Sequence, residues 1–219
     1  MSSVSSGLLT LNRSHTVSVQ EHTDRIIDDL LDSLPSAEQL STDERRGIIA
    51  RYSVVLEGNF IYWMTGAYLS VRSEEARSII LDNLLEEVRD CHPGMLRRFA
   101  TAADAVPTDS DARAVSQELL DVRLFVGQLS PMAVVVMMAF FEGFIQRFMP
   151  YLAELAKRQD SAEKKYTDVH GVCDIAHTQE LFRALEAEIA LAQGSCEPTE
   201  NIFEGVDLLR LLIQKIAAG

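Results

Sequence analysis

Residues 166–179 read Tyr-Thr-Asp-Val-His-Gly-Val-Cys-Asp-Ile-Ala-His-Thr-Gln. The stretch sets His170, Asp174 and His177 at i, i+4 and i+7, and in a helix those positions share one stripe. Imidazole, carboxylate and imidazole on one stripe form a ready set of metal ligands. The chain has only five histidines, so two of them beside an acid on one face is not ordinary surface composition. Such a stripe needs matching carboxylates from other helices, and the rest of the chain can be searched for them.

Working outward, the helix that carries the stripe is expected over 165–192. A polar connection, 158–164, precedes it. Before that comes a strongly apolar helix, 131–157, with Glu142 inside the run Val-Val-Val-Met-Met-Ala-Phe-Phe-Glu-Gly-Phe-Ile. After the stripe, 194–199 reads as a turn and a last amphipathic helix runs to 218. Upstream, Ser41-Thr-Asp-Glu44 is a capping box opening one long helix to about 71. Ser73-Glu-Glu opens the next helix, to about 89, and His92-Pro93-Gly94 breaks it. A short helix over 95–103, a loop at 107–111 and a helix to 129 follow. Leucines and isoleucines at helical spacing over 19–34 give an early helix closed by Pro35. Residues 1–17, rich in Ser and Thr, are expected to form a flexible arm or a lid strapped over the body. No strand, internal repeat or glycine-rich phosphate loop is found. The expected architecture is all-α, about seven or eight helices in one domain over 18–219.

The formal net charge is −13 and the pI about 4.8. That balance excludes nucleic acid and an anionic membrane as main partners, since both call for a basic footprint. The apolar run 132–141 is about half the length of a membrane span and ends at Glu142, so it reads as a buried core helix. No secretory signal is visible, and a cytoplasmic protein is expected. Cys91, Cys173 and Cys196 form no CxxC pair, which argues against a disulfide framework or zinc knuckle. Cys173 reads as a small buried hydrophobe off the ligand stripe.

Further candidate ligands sit on three other segments. Glu57 lies between Leu56 and Phe60 in an apolar helix sector, where a buried acid must be ion-paired, protonated or metal-bound. Glu86 and Glu87 precede His92 at a helix end. Glu142 has no cation within the four residues before it. Carboxylates and imidazoles from four helices are the plan of a dinuclear carboxylate site, whose donors suit iron or manganese, while the spacing leaves zinc open.

The motifs Glu57, Asn83-Leu-Leu-Glu-Glu87 followed by His92, Glu142, and His170-x-x-x-Asp174-x-x-His177 resemble those of the heme-oxygenase-like di-iron oxidases and oxygenases. Ferritin-type bundles instead repeat Glu-x-x-His on two helices, and Glu86 and His92 are too far apart for that. The resemblance implies metal ligands at Glu57, Glu86, His92, Glu142, His170, Asp174 and His177. Glu86 is favoured over Glu87 from its place three residues after Asn83.

The same resemblance implies two Fe(II)/Fe(III) ions, O2 as co-substrate and a bridging peroxide. The expected substrate is a small amine or amino-acid-derived molecule, undergoing N-oxygenation, desaturation or carbon–carbon cleavage. An external electron donor fits this chemistry, and homodimers are common on this scaffold. Phe60, Met64, Met138 and Ile145 lie at helical spacing from the ligands and are candidates for the substrate pocket, with ordinary core packing as the alternative; Gln146 and Tyr166 share faces with Glu142 and His170 and are candidates either to bind substrate or to orient the ligands. Two other functions stay open. One is a cofactor-independent enzyme resembling thiaminase II or pyrroloquinoline quinone synthase, for which neither a catalytic thiol nor a cationic pocket is evident. The other is a non-catalytic interaction module using the amphipathic last helix.

Overall fold

The computed structural model describes residues 3–192 and 201–218, with side chains from residue 16 onward. Among the described residues there are ten helices and no strand. They are α1 (Ser3–Asp32), α2 (Thr42–Leu56), α3 (Asn59–Ser70), α4 (Glu74–Arg89) and α5 (His92–Ala102). The second half holds α6 (Asp109–Ala114), α7 (Ser116–Val126), α8 (Pro131–Lys157), α9 (Lys165–Ala192) and α10 (Glu204–Ala217). The turn expected at 194–199 lies outside the described residues.

The bundle is built on α8 and α9. Their connection turns sharply at Asp160, whose φ is 59°, so the two helices run antiparallel and pack along most of their length. Helix α8 is apolar on nearly every face because neighbours surround it: α1, α2, α3, α5 and α10 also touch it. By length and composition it could cross a membrane, yet 78% of that window is buried inside the protein. Every residue from Ala133 to Ile145 is buried. Glycine at 143 permits close approach, since a Cβ there would stand 3.2 Å from Ile27 and 3.6 Å from Thr178. This draws α1 and α9 onto α8 beside Glu142.

Three expectations about the elements need correction. The backbone of residues 3–17, expected as a stretch apart from the first helix, is continuous with it in α1. Thr16 already sits buried on the same stripe as Val19, Thr23, Ile27 and Leu30. The single long helix expected over 42–71 is two helices. Glu57 leaves helical geometry at ψ 107°, and Gly58 takes φ +81°, a left-handed conformation that glycine adopts without steric cost. Likewise the helix expected to reach 129 is interrupted at Val115. These breaks raise the helix count above seven or eight.

A further adjustment concerns His92. The chain break precedes it, at Cys91, where φ is 57°. His92 and Pro93 then form the first turn of α5, where proline is well tolerated because its missing N–H has no helical partner. Helix α10 buries its apolar face, Val206, Leu209, Leu212, Ile213 and Ile216, against α7 and α8. That face is therefore not free for a partner, which leaves the acidic surface as the feature in favour of an interaction module.

Glu188 ties α9 to the start of α4. Its buried carboxylate accepts the backbone N–H groups of Arg72 at 2.9 Å and Ser73 at 2.6 Å. Glu188→Ala would leave these donors unpaired, and we expect a loss of about 2 kcal/mol. In a chain of this size that lowers the thermal midpoint by roughly 4–8 °C, measurable by far-ultraviolet circular dichroism.

Candidate metal centre

Four helices aim polar side chains into the space beside α8. Helix α4 buries Ala76, Ile80, Asn83 and Glu87 on one stripe, so Asn83 and Glu87 stand i, i+4 and face inward. The left-handed turn at Cys91 folds α5 back and puts His92 against Glu87. Helix α8 contributes Glu142, and α9 contributes His170, Asp174 and His177, all three buried.

The groups fall into two adjacent clusters. In the first, ligand atoms of Glu87, His92 and His170 lie within 4.8 Å of one another. His92 Nδ1 donates to Glu87 Oε1 at 2.6 Å, and the two imidazole rings meet edge to face at 4.6 Å. His170 Nδ1 donates to the Tyr166 carbonyl at 2.9 Å, which fixes the tautomer and leaves Nε2 as a lone-pair donor. Burial pushes the His170 pKa down to about 4, so the ring is neutral and ready to ligate.

In the second cluster, ligand atoms of Cys173, Asp174 and His177 lie within 4.8 Å of one another. Glu142 sits between the clusters. Its Oε1 accepts from Asn83 Nδ2 at 3.5 Å and is 3.7 Å from His177 Nδ1, while its side chain also borders the space that Glu87, His92 and His170 line.

The electrostatics are those of too many acids in too little water. Burial raises the pKa of Glu142, and the Glu87 charge adds to the rise against His177 and Asn83. Burial and the Glu142 charge put Asp174 well above the usual carboxylate range. Burial opposes protonation of His177, but the surrounding Glu142, Asp174 and Glu86 outweigh it and lift its pKa to about 9. At 3.7 Å and 3.8 Å from Glu142 and Asp174, His177 Nδ1 is attracted by charge without a hydrogen bond. Asp174 Oδ2, Asn83 Oδ1 and His177 Nδ1 are buried with no hydrogen-bond partner. A buried polar atom left so is costly, and a cation beside Asp174 and His177 would supply the partner those two lack.

The structure brings together five of the seven ligands named from the sequence: His92, Glu142, His170, Asp174 and His177. Glu86 lies at the rim, 39% exposed, with Oε2 3.5 Å from His177 Nε2. Its neighbour Glu87 is the acid inside. The apolar spacing of α4 carried that signal, since Ile80 and Asn83 share a stripe with position 87. Glu57 is not brought to the group. The break at Gly58 turns it outward, where it pairs with Arg97 on α5.

Among the pocket candidates, Phe60, Ile145 and Tyr166 line a cleft that ends on Glu87, His92, Glu142 and His170. Leu56, Ile61, Pro93 and Leu96 complete its walls. Met64 and Met138 are fully buried core residues and do not border it. Gln146 instead donates to the Gly171 carbonyl at 3.5 Å, bridging α8 and α9. Sequence reasoning missed Tyr52, whose hydroxyl lies 2.8 Å from that of Tyr166 behind the cleft. Cys173, read as a packing residue, instead donates its thiol hydrogen to Asp174 Oδ1 at 3.0 Å.

This all-α bundle gathers a carboxylate–imidazole cluster across its core, with donors that could hold a metal ion. A model of the iron-containing redox enzymes matches residues 48–207, a span that holds the whole cluster. The chain belongs to that family and has its heme-oxygenase-like fold. No curated protein matches the chain.

Proposed function

We propose that this protein is a non-heme di-iron enzyme that uses O2 to oxidise a small amine or amino-acid-derived substrate. The observation that carries the proposal is the pair of clusters joined by Glu142, with buried ligand atoms that lack partners. The donors fit iron: carboxylate and imidazole oxygens and nitrogens from α4, α5, α8 and α9. Glu87, His92 and His170 would hold one ion, Asp174 and His177 the other, and Glu142 would bridge them. When bound, iron supplies the electrons and coordination positions that activate dioxygen.

The remaining work falls to the chain. Tyr166 orients His170 through its carbonyl, and Asn83 steadies Glu142 through its amide. Leu56, Phe60, Ile61, Leu96 and Ile145 keep water from the reacting end of the cleft. His177 must give up its proton to become a ligand, so iron binding is expected to strengthen as pH rises from about 6 to 9. Electrons for repeated turnover would come from an external donor.

The cofactor-independent alternative has less support. Burial and Asp174 push the Cys173 thiol pKa up, which makes it a poor nucleophile.

The test is oxygen consumption by the Fe(II)-loaded protein across a panel of amines and amino acids. One or more members should accelerate it over the substrate-free rate. Turnover that survives removal of iron by a chelator would contradict the reading.

A further inference from the structure

We propose that Cys173 is itself a ligand of the second metal position, bound as thiolate beside Asp174 and His177. The inference rests on the metal-centre reading above and goes beyond it, since neither the ligand stripe nor the resemblance gives the cysteine a role. Its sulfur, an Asp174 oxygen and a His177 nitrogen lie within 4.8 Å of one another, a span that one cation can bridge. The thiol hydrogen already points at Asp174 Oδ1, 3.0 Å from the sulfur. Two atoms independently mark the spot. Asp174 Oδ2 and His177 Nδ1 belong to side chains 0% and 5% exposed, and neither has a hydrogen-bond partner. Cys173 is only partly buried, whereas the first cluster of Glu87, His92 and His170 is fully buried.

Binding is a ligand exchange. The S–H bond breaks, its proton leaves to solvent, and the sulfur lone pair forms the bond to the divalent cation, with no change in oxidation state. The two positions are then chemically unequal. The first offers oxygen and nitrogen; the second adds a soft sulfur donor, which favours late first-row ions such as Co(II) and Zn(II) over Mn(II).

Anaerobic titration of the full chain with Co(II) tests this. The wild type should develop a near-ultraviolet sulfur-to-cobalt charge-transfer band alongside the visible bands of bound cobalt. Cys173→Ser should lose the charge-transfer band and keep cobalt in the first position. Visible cobalt bands without the sulfur band, or a sulfur band that survives in Cys173→Ser, would overturn the thiolate assignment while leaving the metal centre standing. A folded wild type that takes up no cobalt would overturn the metal centre as well. Should Cys173→Ser fail to fold, cobalt K-edge X-ray absorption of the cobalt-loaded wild type decides the matter. A sulfur scatterer at bonding distance from part of the bound cobalt is expected, and a shell of oxygen and nitrogen alone would refute the proposal.

Discussion

Glu142→Ala is expected to abolish the proposed paired iron centre and, with it, to cut the proposed oxygen consumption by more than ~100-fold, since even supporting residues of metal sites cost 10–100-fold. The helical fold should survive. Glu142 is 1% exposed, faces both clusters and, among the described residues, accepts a hydrogen bond from Asn83. The other acid on α8, Glu154, lies about three turns further along, so nothing local can replace Glu142 in the bridging role proposed for it. Glu57→Ala is the contrasting variant. Its side chain faces solvent and pairs with Arg97, and an exposed pair contributes little, so iron content and activity should stay near wild type. Iron analysis of the two purified variants separates the cases. Loss of iron from Glu57→Ala alone would mean that the α2–α3 junction closes onto the metal and that the outward pose is not the working one.

Asp174→Asn is expected to do two opposite things. It should remove metal from the second position proposed above, and it should stabilise the metal-free protein at neutral pH, because the amide is neutral without taking up a proton where burial and the Glu142 charge disfavour the ionised acid. Asp174 has a folded-state pKa well above the ordinary value. Between those two pKa values the folded chain holds a proton that the unfolded chain releases, so stability falls as pH rises from about 4. His177 acts with the same sign. Its contribution is complete below about 6.5 and is lost as pH climbs through about 9. The advantage of the asparagine variant should therefore vanish near pH 4 and grow toward pH 8. Loading with iron should reverse the ranking, because the wild type then gains binding energy that the variant cannot. Thermal denaturation of both proteins across this pH range, with and without iron, reads the effect directly. A metal-free variant less stable than wild type at pH 7.5 would make Asp174 a structural residue.

Much of this was legible in the sequence because it depended on helical period alone. The bounds of α8 and α9 follow from an apolar run and a ligand stripe separated by a polar connection, and His170, Asp174 and His177 share a face wherever that helix packs. What failed were readings that carried a helical face across a break. Glu57 shares an apolar sector with Phe60 only if the helix continues, and the left-handed Gly58 ends that continuity. The choice between Glu86 and Glu87 was decidable in principle, since the Ile80–Asn83 stripe passes through 87, but counting from Asn83 alone favoured the wrong side of α4. Cys173 was hidden for another reason. It lies off the stripe, and only the distance from its sulfur to Asp174 gives it chemistry. The clash of charges among Glu87, Glu142 and Asp174 is tertiary, and no local pattern reveals it.

The most direct test of the paired centre is Mössbauer spectroscopy, with iron analysis, of the full chain loaded anaerobically with ⁵⁷Fe(II) and then exposed to air. The account expects two irons per chain that become magnetically coupled on oxidation. One isolated paramagnetic iron per folded chain, or none, would contradict it.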